Sequence, residues 1–269
     1  MSMIDRDAPI GLFDSGVGGL TVLRALTARL PQENTIYLGD TARVPYGTRS
    51  REVVTRYALL SARHLAARGI KMLVVACNTV SAGSLPALAE ALPIPVLGVI
   101  EPGAQAAAAQ TRGGAIAVLG TPSTIASGAY QSALGRLAPT TRVLARACPL
   151  FVPLAEEGWT DGEVPRLVAE KYLSDLRRAG VDTALLGCTH YPLLANAIAE
   201  VLGKSVALVD SARSTAEAVA ALLLSRGLLR EGSAGSHRTL CTDVPDRFRA
   251  LAERFLGRPV DSVELVDLT

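Results

Sequence analysis

The sequence predicts an α/β protein in which two pseudo-symmetric parallel-sheet lobes face each other across a central cleft. Short apolar runs of buried-strand type alternate with helix-like segments, which is typical of parallel sheets covered by helices. The predicted strands end near Asp14, Asp40, Cys77 and Gly98 in the first half, and near Gly120, Cys148, Cys188 and Val209 in the second. Because the separation between matching strand ends is nearly constant, the sequence indicates an internal duplication.

Each predicted repeat opens with a strand, a loop of small residues and a helix. In the first repeat the loop spans 16–19 and the helix 20–30, and in the second they span 121–123 and 125–137. A helical pattern of this kind after each strand favours parallel strand pairing.

The C-terminal segment has no counterpart in the first repeat. Its pattern predicts, in order, a helix at 215–224, a strand at 238–242, a helix at 245–255 and a short apolar run at 262–266. We expect this segment to return to the first lobe. That lobe would then be discontinuous, with residues 1–98 and 211–269, and residues 99–210 would form the second lobe.

Composition excludes several classes of protein. Apolar residues make up 49% of the 269 residues, yet no apolar run approaches the roughly 18 residues of a membrane helix. The first nine residues include Asp5, Arg6 and Asp7 and lack an apolar core, so we expect no targeting signal and a cytoplasmic protein. In that compartment the four cysteines stay reduced. Acidic and basic residues are interspersed at a net charge of +2, which favours a small-molecule ligand over nucleic acid or a membrane.

Two cysteines stand at matching positions of the two repeats. Cys77 and Cys188 each follow a predicted buried strand, and polar residues follow each cysteine. Ligands of parallel sheets bind outside the carboxyl ends of the strands, so both thiols are expected at the cleft. We also predict a helix start at each site, capped by Asn78 or Ser81 at one and opened by Pro192 at the other. A helix N-terminus would lower each thiol pKa from its ordinary value of about 8.5.

Other residues of similar type are interpreted as structural. Free cysteine is usually a small buried hydrophobe, and we keep that interpretation for Cys148, which precedes Pro149, and for Cys241, which lies inside a strand-like run. His64 and His237 lie in no motif. The glycine loop at 16–19 does not continue into the G-x-G-x-x-G pattern, which argues against nucleotide binding.

Four segments together resemble the glutamate racemase family. They are residues 11–21 (GLFDSGVGGLT), 38–47 (LGDT followed by VPYG), 76–79 (ACNT) and 187–192 (GCTHYP). The resemblance extends from the first predicted strand to the last predicted helix. Within the wider amino-acid racemase superfamily, the VPYG segment favours glutamate over aspartate.

The resemblance implies interconversion of L- and D-glutamate without a cofactor, which supplies D-glutamate for bacterial peptidoglycan. It implies that Cys77 deprotonates D-glutamate and Cys188 deprotonates L-glutamate, with no metal and with a homodimeric assembly. The implied residues that assist the thiols are Asp14, His190, Glu156 and Asp40. The implied substrate contacts are Asp14, Ser15, Tyr46, Gly47, Asn78, Thr79, Thr121, Thr189 and His190.

Three alternatives remain open at the level of sequence. A metal-binding protein could use cysteine and histidine, although Cys77, Cys188 and His190 lack C-x-x-C or H-x-x-x-H spacing. A bilobed protein that binds an acidic metabolite would share the architecture without needing two thiols. A racemase of the same superfamily could act on aspartate or on another acidic or hydantoin-like substrate.

Overall fold

A computed structural model describes residues 5–268 of the chain. The strands are β1 Ile10–Asp14, β2 Thr35–Gly39, β3 Met72–Val75, β4 Val96–Gly98, β5 Ala115–Gly120, β6 Val143–Ala147, β7 Val181–Gly187, β8 Ala207–Asp210, β9 His237–Cys241 and β10 Glu264–Leu265. The helices are α1 Leu20–Arg29, α2 Arg51–Ala66, α3 Asn78–Gly83, α4 Leu85–Ala91, α5 Ile100–Gln110, α6 Pro122–Ala126, α7 Ala129–Leu137, α8 Phe151–Glu157, α9 Glu163–Arg178, α10 Ala195–Leu202, α11 Ser211–Ser225 and α12 Pro245–Leu256. Two 3-10 helices span Thr41–Arg43 and Tyr191–Leu194.

The strands form two parallel sheets, which confirms the predicted fold class. The first sheet has the order β10-β9-β2-β1-β3-β4, and the second has the order β6-β5-β7-β8. All strand pairings in the two sheets are parallel. The order β2-β1-β3-β4 of the first sheet repeats as β6-β5-β7-β8 in the second, as internal duplication predicts.

Helices cover both faces of each sheet, because the strands are buried on both sides. One face of the first sheet packs against α1, α11 and α12, and the other against α2. In the second sheet, α9 and α10 cover one face and α5 and α7 the other. The near-continuous apolar sequence of the central strands reflects this double burial.

The C-terminal segment adds strands to the first sheet. β9 pairs with β2, and β10 pairs with β9 at the sheet edge. Residues 1–4 and 269 of the predicted first lobe lie outside the described residues. The division of the chain into 1–98 with 211–269 and 99–210 stays a prediction.

The structure corrects two predicted helices. The helix predicted at 125–137 is broken into α6 and α7, because Gly128 has a φ of 67° and terminates the first segment. The helix predicted at 215–224 begins earlier, at Ser211, where the Asp210 side chain accepts a hydrogen bond from Ala212 N. No helix within residues 5–268 combines the length and hydropathy that crossing a bilayer requires.

Candidate active site

A cavity of about 340 Å3 lies where the carboxyl ends of the two sheets meet. The first sheet contributes the loops after β1, β2 and β3, and the second contributes those after β5, β6 and β7. The lining residues that the sequence predicted are Asp14, Ser15, Tyr46, Gly47, Cys77, Asn78, Thr79, Thr121, Glu156, Cys188, Thr189 and His190. Tertiary folding therefore brings together residues from six loops.

The first thiol stands at the junction of β3 and α3. Cys77 is the N-cap residue of α3, and its Sγ lies 3.8 Å from Ser15 Oγ. Beside it, Asp14 Oδ2 accepts hydrogen bonds from Gly16 N at 3.2 Å and Gly19 N at 3.0 Å. Asp14 Oδ1 is buried and has no hydrogen-bond partner among the described residues. This carboxylate oxygen is therefore an open acceptor at the cavity wall.

The pKa predicted for the first thiol is wrong in direction. Burial, followed by the charge of Asp14, raises the pKa of Cys77 to about 12. The hydrogen bonds that Cys77 makes with Val80 N and Ser15 act in the opposite sense, but the short helix does not compensate for desolvation of the thiolate. Cys77 is therefore a protonated thiol at neutral pH in the ligand-free protein.

The predicted caps near Cys77 also differ from the structure. Asn78 lies inside the first turn of α3 and not at its cap. Ser81 lies in the same helix, where its Oγ donates to Val75 O at 2.8 Å and accepts from Val99 N at 3.2 Å. Ser81 thus connects α3 to the end of β3 and the start of α5, because its hydroxyl forms hydrogen bonds with the backbone groups of Val75 and Val99.

The second thiol is linked to a histidine and a carboxylate. Cys188 Sγ lies 3.9 Å from His190 Nδ1, and His190 Nε2 lies 3.0 Å from Glu156 Oε1. Burial disfavours the imidazolium, but the hydrogen bonds with Cys188 and Glu156 outweigh that cost and raise the pKa of His190 to about 10. His190 therefore carries a positive charge beside Cys188 at neutral pH.

Glu156 complements that positive charge. Burial raises the pKa of its carboxyl, whereas the hydrogen bond and charge of His190, together with the charge of Arg247, shift the pKa below its ordinary value. The carboxylate is thus ionised when His190 is protonated, and the two groups form an ion pair.

The helix start predicted after Cys188 is a 3-10 helix and not an α-helix. Pro192 occupies its first turn, as predicted, in the segment Tyr191–Leu194. The 3-10 helix begins three residues beyond the thiol, so His190 is the nearer source of positive charge.

Neutral donors line the remainder of the cavity. Asn78 Oδ1 accepts from Tyr130 OH at 2.7 Å, whereas Asn78 Nδ2 is buried without a hydrogen-bond partner among the described residues. Thr79 Oγ1 lies 3.0 Å from Thr121 Oγ1 and 3.2 Å from Thr124 Oγ1. No arginine or lysine is among the cavity-lining residues of the described chain. Apart from His190, the groups available to hold an acidic ligand are therefore amide, hydroxyl and backbone N–H groups.

Asp40 is the one predicted site residue that the structure does not bring to the cavity wall. Its carboxylate is fully buried and accepts hydrogen bonds from Tyr46 OH at 2.5 Å, Arg43 Nη1 at 2.8 Å and Thr242 Oγ1 at 2.9 Å. Because Tyr46 lies between Asp40 and the cavity, any effect of Asp40 on a ligand has to act through that tyrosine.

Gly18 allows the two halves of the site to approach closely. A Cβ atom built on Gly18 would lie 2.2 Å from Thr189 Oγ1 and 2.5 Å from His190 Nδ1. Gly18 is the second glycine of the loop at 16–19, and its lack of a side chain leaves room for the Cys188 side of the site. A side chain here would displace His190.

An apolar wall of the cavity was missed in the sequence. Pro149, Val152 and Pro153 line it from the loop after β6 and from α8, and Val44 and Pro45 line it from the other sheet. The further lining residues are Gly16, Thr48 and Pro122. Cys148 directly follows β6, which corresponds to β2, so the residues after it lie at the carboxyl edge of the second sheet.

The other two cysteines lie outside the cavity lining, as predicted. Within residues 5–268 all four cysteines are free thiols, and Cys148 and Cys241 are fully buried. His64 and His237 also lie outside the cavity lining. The described residues contain no cluster of three or more His, Cys, Asp or Glu side chains that could hold a metal ion.

The chain is similar to known glutamate racemases over nearly its full length. A family model described as Asp/Glu/Hydantoin racemase matches residues 20–219. A glutamate racemase from Geobacter metallireducens is 59% identical over 96% of each chain. The crystal structure of glutamate racemase from Francisella tularensis in complex with D-glutamate has a TM-score of 0.92 at 37% identity, covering 98% of both chains. A glutamate racemase isoform from Bacillus anthracis gives a TM-score of 0.94 at 41% identity with the same coverage.

Proposed function

The chain belongs to the Asp/Glu/Hydantoin racemase family, and we propose that it interconverts L- and D-glutamate by proton transfer at Cα without a cofactor. One observation carries the mechanism: Cys77 and Cys188, each from a different sheet, line the same cavity. An amino acid bound between two thiols can lose a proton to one of them and gain a proton from the other.

In the direction from L-glutamate, the Cys188 thiolate takes the Cα proton and becomes a thiol. The electron pair of the broken C–H bond is delocalised into the α-carboxylate. The Cys77 thiol then donates its proton to the other face of Cα, forms a new C–H bond and becomes a thiolate. The two sulfur atoms end in exchanged protonation states, and the same steps in reverse convert D-glutamate to L-glutamate.

The electrostatics of the ligand-free site support this assignment. The raised pKa of Cys77 keeps it protonated as a donor, while the raised pKa of His190 places an imidazolium beside Cys188. The ammonium group of a bound amino acid would add a further positive charge to the cavity, which favours ionisation of Cys77.

The remaining predicted residues take roles that follow from their contacts. Asp14 adjoins Cys77, and the His190–Glu156 pair adjoins Cys188, so these groups exchange protons with the thiols or tune their ionisation. The groups proposed to hold the two carboxylates of glutamate are Ser15, Tyr46, Gly47, Asn78, Thr79, Thr121 and Thr189. Asp40 is proposed as a positioning residue for Tyr46, because its carboxylate accepts the Tyr46 hydroxyl.

Three further aspects extend the proposal. The product D-glutamate would enter bacterial peptidoglycan, and the protein would act in the cytoplasm.

We also propose a homodimer. Val164 and Leu167 lie one turn apart on α9 with 46% and 49% of their surface exposed, and we propose them as apolar contacts of the dimer interface. Sedimentation equilibrium of the wild type and of Leu167→Lys tests the dimer, which is ruled out if both sediment as monomers at micromolar concentration.

The experiment that tests the proposed activity is circular dichroism of L-glutamate incubated with the purified protein in deuterium oxide. We expect the signal to decay to zero without additives, while deuterium enters Cα. L-Aspartate in a parallel assay tests the runner-up substrate, and faster racemisation of aspartate would overturn the assignment to glutamate. Binding of glutamate with no exchange of the Cα hydrogen would instead indicate a binding protein.

A further inference from the structure

Helix α12 belongs to the C-terminal segment but reaches the Cys188 side of the site. It packs against α1 beneath the first sheet, whereas Glu156 and His190 lie on α8 and on the loop after β7, in the other half of the cleft. Two consecutive side chains of α12, Arg254 and Phe255, contact these two residues. Neither of them lines the cavity.

The first contact holds the main chain of Glu156. Arg254 Nη1 donates to Glu156 O at 2.8 Å, and this carbonyl lies in the last turn of α8, where carbonyl groups lack donors within the helix. A cation is also favoured there by the helix dipole. The guanidinium stands directly over Gly158, since a Cβ built on that residue would lie 2.7 Å from Nη1 and 2.8 Å from Cζ.

The second contact holds the imidazole. The rings of Phe255 and His190 have centroids 5.2 Å apart and an interplanar angle of 77°. Phe255 is completely buried, so its ring has a defined position. This edge-to-face contact restricts rotation of the imidazole, which keeps Nδ1 towards Cys188 and Nε2 towards Glu156.

A third side chain of the same helix acts on Glu156 through charge. Arg247 and Glu156 both line a small neighbouring cavity of about 130 Å3. Arg247 also contributes to the lowered pKa of the Glu156 carboxyl. Helix α12 thus contacts the backbone of Glu156 through Arg254 and the ring of His190 through Phe255. Its Arg247 also helps to lower the pKa of the Glu156 carboxyl.

We propose that Arg254 and Phe255 are positioning residues that hold Glu156 and His190 in line with Cys188, so that the C-terminal segment completes the Cys188 half of the site. The inference rests on the proposed two-thiol racemisation and deepens it. It assigns to α12 a role in one of the two proton transfers and not in the other.

The test compares Arg254→Met with Arg249→Met. Both arginines lie on α12 and are exposed, but Arg249 approaches only Asp246 of its own helix, at 3.9 Å. Methionine keeps an aliphatic side chain and removes the donor. We expect kcat/KM to fall about tenfold in both directions for Arg254→Met, because loss of a hydrogen bond to a positioned group is of that order. Arg249→Met should match the wild type, and Arg254→Lys should recover part of the loss.

Primary deuterium isotope effects identify the affected step. Slower transfer at Cys188 makes that step more rate-limiting, so the isotope effect on kcat/KM should rise for Cα-deuterated L-glutamate and fall for Cα-deuterated D-glutamate. A merely structural loss would lower the amount of active enzyme and leave both isotope effects unchanged. Wild-type isotope effects in Arg254→Met, or equal changes in the two directions, would overturn the inference. Absence of Cα exchange in the wild type would instead refute the proposed function.

Discussion

His190 lies between Glu156 and Cys188, with Nε2 3.0 Å from Glu156 Oε1 and Nδ1 3.9 Å from Cys188 Sγ. Both ring nitrogens of an imidazolium are donors, so one cation can donate to an acceptor on each side. The arrangement explains why burial does not leave this histidine neutral, and it makes the ionisation of His190 and Glu156 interdependent.

Replacement of Glu156 by Gln should lower the pKa of His190. The amide can still accept a hydrogen bond through Oε1, but it removes the negative charge that favours the imidazolium. We expect the alkaline limb of the pH profile of kcat/KM to move to lower pH. The control is Glu157→Gln, an exposed neighbour. An unchanged alkaline limb in Glu156→Gln would show that the pair does not govern activity.

Replacement of His190 by Asn should change how stability depends on pH. The folded pKa of His190 is raised from about 6.5 to about 10. Its contribution to stability is therefore fully present below pH 6.5 and is lost as pH rises towards 10. Urea unfolding from pH 6 to 10 should show the wild type losing stability relative to His190→Asn. His237→Asn is the control, because the pKa of His237 is lowered by burial and its contribution has the opposite sign.

Substitution of each cleft thiol should nearly abolish racemisation. Cys77→Ser and Cys188→Ser replace a thiol by a much weaker acid, and we expect a loss of about 1000-fold in kcat, within the usual range for a removed acid or base. Cys148→Ala and Cys241→Ala are the controls, and each should keep activity while losing about 1 kcal/mol of stability. Wild-type turnover by either serine variant would contradict the two-thiol mechanism.

Tyr46→Phe tests the connection between Asp40 and the cavity wall. The variant leaves Asp40 Oδ2 without the Tyr46 hydroxyl in a fully buried environment, and the free energy of unfolding should fall by about 1–3 kcal/mol. Tyr57→Phe is the control, because its ring packs against Tyr46 at 5.7 Å without contacting Asp40. Equal stability of the two variants in urea would indicate that the short hydrogen bond contributes nothing.

A buried ion pair outside the site, near the N-terminal ends of the strands of the first sheet, should contribute strongly to the free energy of unfolding. Lys71 Nζ lies 2.5 Å from Glu33 Oε2, and Nζ also donates to Leu228 O at 2.8 Å. Lys71→Met should cost about 3–5 kcal/mol, because it leaves a buried carboxylate uncompensated. The double variant Lys71→Met/Glu33→Leu should recover most of that loss. A double variant no more stable than the single one would disprove the explanation.

The positions of many site residues could be predicted from the sequence, because the end of a strand is marked by residues that are adjacent in the chain. Cys77 and Cys188 follow apolar runs that became β3 and β7, and the rule for parallel sheets placed each thiol at the carboxyl edge of its own sheet. The helix predicted at 125–137 was wrong because the apolar periodicity continues through Gly128, whose positive φ interrupts the helix.

Other features depended on contacts between distant segments. Pro149 and Val152 line the cavity although nothing local distinguishes them from surface residues after a strand. The contact of Phe255 with His190 joins residues from different halves of the cleft, and no pattern along the chain signals it.

By itself the sequence determined the order of the strands along the chain, their buried character, the two thiols and the polar residues that follow them. These properties depend on side-chain type and spacing within a few residues. Only the tertiary structure decided that Cys77 is desolvated and protonated, that His190 is cationic and that Asp40 lies behind Tyr46. The reason is that burial and electrostatic interactions are set by whichever groups come close in space, and here most of those groups follow different strands of a sheet.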